Sequence, residues 1–279
     1  MSLTLMYITN DITVALIAQK YGVDRIWIDL ETIGKEERQK NRNTVKSHHT
    51  IQDIEKIASV ITESDVLVRV NPWNEASPHE INSVVDAGAD IIMLPYWKTT
   101  EEVERFLDAV HGRCKTTLLL ETKEADEHID SILRLPGIDE IHIGLNDLHI
   151  SYELDFMFEL LTNGTVERLC GKFAASRLPY GFGGIASIGE GAVPAEQIIL
   201  EHYRLGSTRA ILSRSFCDYT KLPSYEEVDK VFASNMKKLR EFENYAEKAN
   251  MAVFQNNIAA LRKSVENVKK EMKAKKSGE

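Results

Sequence analysis

Eight short apolar runs, set apart by longer stretches of mixed polarity, constrain this chain more than any other feature. They are Leu3 to Ile8, Arg25 to Leu30, Val66 to Val70, Ile91 to Leu94, Thr117 to Glu121, Glu140 to Ile143, Tyr180 to Gly184 and Arg209 to Ser213. Runs this short and this apolar read as buried strands. The stretches Ile51 to Ile61, His79 to Ala87 and Thr100 to Val110 between them have helical patterning. Repeated β-α units imply a parallel sheet, and eight of them predict closure into a (β/α)8 TIM barrel. An open doubly wound sheet gives a similar alternation and is the alternative.

No repeat, low-complexity segment or Pro/Gly/Ser linker interrupts the first 220 residues, so residues 1–222 are expected to form one catalytic barrel domain. After Pro223 the character changes, and residues 223–279 are expected to add C-terminal helices. There Met251, Phe254, Ile258, Leu261, Val265, Val268 and Met272 step by threes and fours, forming one narrow apolar seam. That seam calls for cover, either from the chain's own barrel or from a second subunit. The final KKEMKAKKSGE reads as a solvated tail rather than a basic binding patch.

Lys and Arg number 34 against 43 Asp and Glu, and the net charge of −9 repels polyanions, which argues against nucleic acid as a partner. The N-terminus has neither the basic start nor the apolar core of a signal peptide, and no stretch approaches a membrane span. Cys114, Cys170 and Cys217 are odd in number and widely spaced, without a disulfide or zinc pattern, so a reducing cytoplasm is the expected compartment.

Chemistry in such a barrel collects where strands end. RIWIDLE ends in Asp29 and Glu31, DVLVRV carries Arg69, TTLLLE ends in Glu121, and IHIGLND puts Asp147 just past the sixth run. Any one of these alone reads most simply as a helix cap or a structural ion pair. Taken together they suggest a site. Glu121 and Asp147 follow adjacent strands, so their carboxylates can converge, and two hard oxygen ligands with open positions suit Mg²⁺ or Mn²⁺. An arginine nearby would bind a carboxylate or an enolate oxygen.

IDLE at the second run, the arginine of VLVRVNPW, VDAGADIIMLP (Val85 to Pro95), LLLETKEA and IHIGLNDL occur in the same order as in HpcH/HpaI aldolases and citrate lyase β-type proteins, which the chain resembles over roughly residues 20 to 215. The resemblance implies a metal-dependent carbon-carbon lyase, an aldolase acting through the enolate of a pyruvate-like 2-oxo acid. It implies Glu121 and Asp147 as metal ligands, Arg69 as the group that steadies developing negative charge, and Asp29 and Glu31 in substrate or water binding. An acyl-thioester lyase of citryl or malyl type, or a metabolite-binding barrel without turnover, would use the same residues. Family and seam both lean toward a homo-oligomer.

Thr32 stands where the aldolase branch has a histidine directly after the glutamate, so the acid/base is open. His48 and His49 close the long insert Gly34 to Thr50, and His149 follows Asp147 by two. His49 and His149 are the catalytic candidates, against the simpler readings of a solvated loop and a packed core group. Water on the divalent cation is a further candidate. The glycine-rich stretch Gly181 to Gly191, with Gly183, Gly184 and Ser213 beside it, reads equally as an anion or carboxylate site and as tight turns. Trp73 either walls the pocket or fills the core top, and Glu201 and His202 read as structural.

Overall fold

The computed structural model of the chain describes residues 2–35 and 48–277. Of the Gly34 to Thr50 insert, residues 36–47 lie outside the described residues, as do the last two residues of the tail. The eight strands follow one another in a closed barrel in the order β1 to β8. By their contacts the residues fall into two compact units, one of residues 5–142 and one of residues 143–277 with 2–4.

The first unit holds β1 (Thr4–Ile8, all but its first residue), α1 (Ile12–Lys20), β2 (Arg25–Asp29), α2 (Ile51–Ala58), β3 (Asp65–Arg69), α3 (Ser77–Asp86), β4 (Ile91–Leu94), α4 (Thr100–Val110), β5 (Lys115–Leu120), α5 (Lys123–Ile132) and most of β6 (Glu140–Ile143). The strands are parallel, and their register runs Ile8↔Trp27, Asp29↔Arg69, Arg69↔Met93 and Leu94↔Leu118. Every residue of β2 and β4 is buried, which explains their continuous apolar character.

Aspartates just before strands fix the start of this ladder. Asp24 accepts the N–H of Leu5 at 2.7 Å, Asp90 that of Val66 at 2.8 Å and Asp139 that of Thr116 at 2.8 Å. Each carboxylate thereby satisfies the N–H of the second residue of the preceding strand, a group that burial would otherwise leave unpaired. Capping boxes start two of these helices: Thr50 with Asp53 closes one on α2, and Thr99 with Glu102 closes one on α4.

Side chains alternate along β2, and Arg25, Trp27 and Asp29 share one face. Arg25 forms a doubly hydrogen-bonded ion pair with Glu140, whose carboxylate also accepts the Thr117 hydroxyl at 2.6 Å. These three are buried, so the pair is held by its geometry rather than by solvent.

The second unit holds α6 (Leu145–Ser151), α7 (Glu159–Thr162), α8 (Thr165–Ala175), β7 (Tyr180–Ile185), α9 (Ala195–Leu205), β8 (Arg209–Leu212), a 3-10 turn (Tyr219–Lys221), α10 (Tyr225–Glu247) and α11 (Met251–Ser277). The middle of the predicted seam packs on the chain itself: Leu261 and Val265 are buried, and α11 meets α9 and α7. Asn257 fixes this docking by donating to Gln197 O and Glu201 Oε1, both at 3.0 Å. Met251 stays exposed.

The tail expected to be solvated continues α11 as far as Ser277, and most of its described side chains are exposed. Lys269 binds Glu159 at 2.6 Å, and Lys273, itself exposed, lies 3.9 Å from Asp155. Among the described residues no helix is long and apolar enough to cross a membrane.

Candidate active site

Charged side chains cluster at the C-terminal ends of β2 and β3. Because Asp29 and Arg69 are register partners, parallel pairing alone sets their side chains next to each other on one face. Arg69 Nε and Nη2 donate to the two oxygens of Asp29 at 2.8 and 2.9 Å, a bidentate fork. Its Nη1 lies 3.2 Å from Glu31 Oε2 and 4.0 Å from Glu121 Oε1. Its guanidinium carbon stands 5.2 Å from the ring centroid of buried Trp27, two residues before Asp29 on β2, which supports the cation.

Lys35 completes the cluster. Its Nζ donates to Asp29 Oδ2 at 2.8 Å and lies 3.8 Å from Glu31 Oε2, with the side chain buried. Burial by itself would raise the Asp29 carboxyl, but Arg69 and Lys35 hold it well below the usual carboxylate range. Burial works against the Arg69 charge in the same way, and Asp29, Glu31 and Glu121 more than offset it. Asp29 also accepts the Glu31 N–H at 3.2 Å, so both of its oxygens are engaged within the chain. The carboxylate expected to bind substrate is thus committed to bracing Arg69.

Glu121 is the first residue past β5 and is buried. Its Oε2 accepts the N–H of Tyr96 at 3.2 Å. Tyr96 follows β4 with φ of 51°, a left-handed conformation that costs a non-glycine residue free energy and turns its amide to the carboxylate. Thr32 is fixed from β3: Asn71 Oδ1 accepts the Thr32 N–H at 2.9 Å, the Ile33 N–H at 3.0 Å and the Thr32 hydroxyl at 3.2 Å. Asn71 is held in turn by Glu80, whose carboxyl burial raises. His49 accepts the Asp29 backbone N–H on Nδ1 at 3.0 Å. Trp73 is half-buried, and among the described residues no ring contact ties it to Arg69.

Asp29, Glu31, Arg69, Glu121 and His49 therefore belong to one unit and are linked by direct contacts. Asp147, His149, Gly183, Gly184 and Ser213 belong to the other. Asp147 and His149 are buried on α6, and His149 Nδ1–H donates to Leu145 O at 3.2 Å, one turn back. Gly183 has φ of +53°, and a Cβ there would stand 2.6 Å from Leu145 Cδ1. At Gly184 a Cβ would meet Ser213 Cβ at 3.5 Å. Close packing of β7 on α6 thus accounts for Gly183. In the following loop the Gly189 N–H goes to the Glu196 carboxylate at 3.1 Å, and Ser187 donates to Ser215 O at 2.9 Å.

Glu201 and His202 are buried structural groups, as expected: Glu201 holds Arg204 at 2.7 Å, and His202 stacks on Phe182 with ring centroids 3.9 Å apart. Sequence reasoning missed Lys35, Asn71, Glu80 and Tyr96. Asn71 and Tyr96 follow strand ends and carried a positional signal, whereas nothing local marks Lys35 as buried.

Among the described residues no group of three or more His, Cys, Asp or Glu side chains is placed to hold a metal ion. Mg²⁺ sites commonly draw one or two carboxylates from the protein and the rest from substrate and water, and a buried carboxylate such as Glu121 is a donor of that hard-oxygen type.

A sequence model of the HpcH/HpaI aldolase/citrate lyase family matches residues 4–155. No curated protein matches the chain. Among solved structures, an HpcH/HpaI aldolase from Desulfitobacterium hafniense DCB-2 superimposes with a TM-score of 0.60 at 16% identity, covering 80% of this chain and 95% of the other. An HpcH/HpaI aldolase/citrate lyase family protein from Burkholderia cenocepacia J2315 gives 0.59 at 14%, covering 81% and 95%. The citrate synthase SbnG gives 0.58 at 18%, covering 85% and 94%. At these identities the superpositions speak for the barrel fold.

Proposed function

Because the chain belongs to the HpcH/HpaI aldolase/citrate lyase family, a family of lyases, we propose that it is a metal-dependent carbon-carbon lyase acting through the enolate of a 2-oxo acid. The observation that carries this reading is the braced Arg69, forked onto Asp29 and flanked by Glu31 and Glu121 at the ends of β2, β3 and β5.

Of the five guanidinium N–H groups, Asp29 takes two and Glu31 lies against a third nitrogen's pair, so Arg69 keeps donors for a substrate oxygen. Asp29 and Lys35 fix the direction of those donors before substrate arrives, so no reorganisation is needed as negative charge develops on the substrate. A divalent cation, Mg²⁺ or Mn²⁺, would be held by Glu121 and, on the strength of the family motif, by Asp147, and would supply Lewis-acid polarisation of the 2-oxo group. The Tyr96 amide keeps Glu121 oriented for that task. Formally the cluster of the first unit has three carboxylates, Asp29, Glu31 and Glu121, against two cations, Arg69 and Lys35. The uncompensated negative charge suits a site completed by a metal cation. The family also supports a homo-oligomer, which light scattering would establish.

Exchange of the pyruvate methyl protons with deuterated water, followed by NMR in the presence of Mg²⁺ or Mn²⁺, tests the proposal. The unmodified protein should catalyse exchange, and Glu121→Gln should lower it by roughly a hundredfold or more, with loss of metal affinity. Full metal-dependent exchange in Glu121→Gln would sink the assignment. Exchange failing under every metal would leave a metabolite-binding barrel as the reading.

A further inference from the structure

The β1–β2 ladder ends where Thr9 N–H meets Trp27 O, and the next outward N–H on that edge of β2, at Asp29, has no strand carbonyl to meet. It donates instead to Nδ1 of His49, at 3.0 Å. A ring nitrogen that accepts a backbone N–H must present its lone pair, because the amide can never act as the acceptor. In a neutral imidazole the single proton then resides on Nε2. Among the described residues Nε2 has no hydrogen-bond partner of its own.

We propose that His49 serves the lyase site as a fixed neutral donor, offering Nε2–H to an oxygen of the bound 2-oxo acid, and that it is not the general base. The proposal rests on the enolate reading above. One residue, Asp29, holds both donors, Arg69 by its carboxylate and His49 by its backbone amide, so the two are set at the same end of β2.

Protonating the ring would set an Nδ1–H against the Asp29 N–H and remove that hydrogen bond. The surroundings act in the same sense: burial lowers the imidazole's proton affinity, Lys35 and His48 add to that, and Asp29 and Asp53 oppose it. Asp53 is itself occupied by Asn10 and by Thr50. To accept a proton from substrate, His49 would have to release Asp29. To donate, it need not move.

Protein labelled with ¹⁵N in the histidine rings reports the tautomer directly, with His49→Gln identifying the signal. We expect the neutral Nε2–H form from pH 7 to 9; an Nδ1–H form, or an imidazolium at pH 7, overturns the proposal. In the pyruvate exchange assay Gln places an amide N–H near the position of Nε2, so His49→Gln should lose about threefold to tenfold. His49→Ala should lose about a hundredfold, the usual consequence of removing an oxyanion donor. Gln as inactive as Ala, with loss of the wild-type pH dependence on its acid side, would identify a base and overturn the proposal. Absence of exchange in the unmodified protein would instead overturn the enolate reading, and the tautomer measurement would still be decided by the ring signals.

Discussion

Asp29→Asn is the perturbation that most directly tests the brace. Asn keeps the shape and one acceptor oxygen, but it turns an NH₂ toward Arg69 or Lys35 and removes the charge both cations share. The side chains concerned are 2% (Asp29), 12% (Arg69) and 8% (Lys35) exposed, so water cannot take over the lost partner. Removing one member of a buried ion pair costs about 3–5 kcal/mol, and because Glu31 still lies 3.2 Å from Arg69, the lower end, about 3 kcal/mol, is expected here. Urea denaturation at pH 7 should show this as a reduced midpoint with an unchanged slope. The pH dependence has a defined sign. The folded Asp29 carboxyl is held below its unfolded value, so its contribution is complete above the unfolded pKa near 4 and is lost as pH falls below that. The gap between wild type and Asp29→Asn should therefore stay constant from pH 8 to about 5 and narrow below about 4. A gap under about 1 kcal/mol at pH 7, or one that persists unchanged at pH 3, would refute the reasoning.

Glu140→Gln strands Arg25 in the barrel interior and should cost about 3–5 kcal/mol in urea unfolding, while Arg25→Met with Glu140→Leu should recover most of it; equal stability of the single variant and wild type would refute this. Tyr96→Gly keeps the amide on Glu121 and relieves the left-handed backbone, so it should be about 1 kcal/mol more stable than Tyr96→Ala by the same measurement, and parity would show that no strain is stored there. Leu261→Ala should weaken the docking of α11 by about 2–4 kcal/mol, visible as faster amide exchange throughout that helix, and unchanged protection would mean that the helix is held elsewhere.

The barrel was largely legible because its strands are short and covered on both faces, so their apolar runs start and stop where the strands do. Boundaries drifted at the polar ends. β3 begins at Asp65 and β5 at Lys115, residues that look like loop until the neighbouring strand supplies their ladder partners. The aspartates at 24, 90 and 139 were invisible as a set, since each acts on a strand other than the one it precedes. The contacts of the lysine-rich end of α11 are hidden from the sequence for a similar reason. A lysine-rich run has no helical reason to dock until Glu159 and Asp155, more than a hundred residues away, come alongside.

A charge that closes an apolar strand is a signal that sequence carries, and it picks out Asp29, Glu31, Arg69 and Glu121, which the fold brings into one cluster. Their division of labour carries no such signal, because it depends on who pairs with whom. Arg69 could have faced substrate with every donor free. Instead Asp29 takes its fork, and that commitment is possible only because Lys35 offsets part of the remaining negative charge. Lys35 follows Asp29 by six residues through a turn, with no periodicity to announce that its ammonium folds back onto the strand end. The arrangement also predicts that lysine would substitute poorly at position 69. A point charge could pair with Asp29, but it could not hold both carboxylate oxygens in one plane while leaving other N–H groups directed elsewhere. The guanidinium is needed here for its geometry as much as for its charge, and a brace of this kind is legible only once β2 and β3 are paired in register.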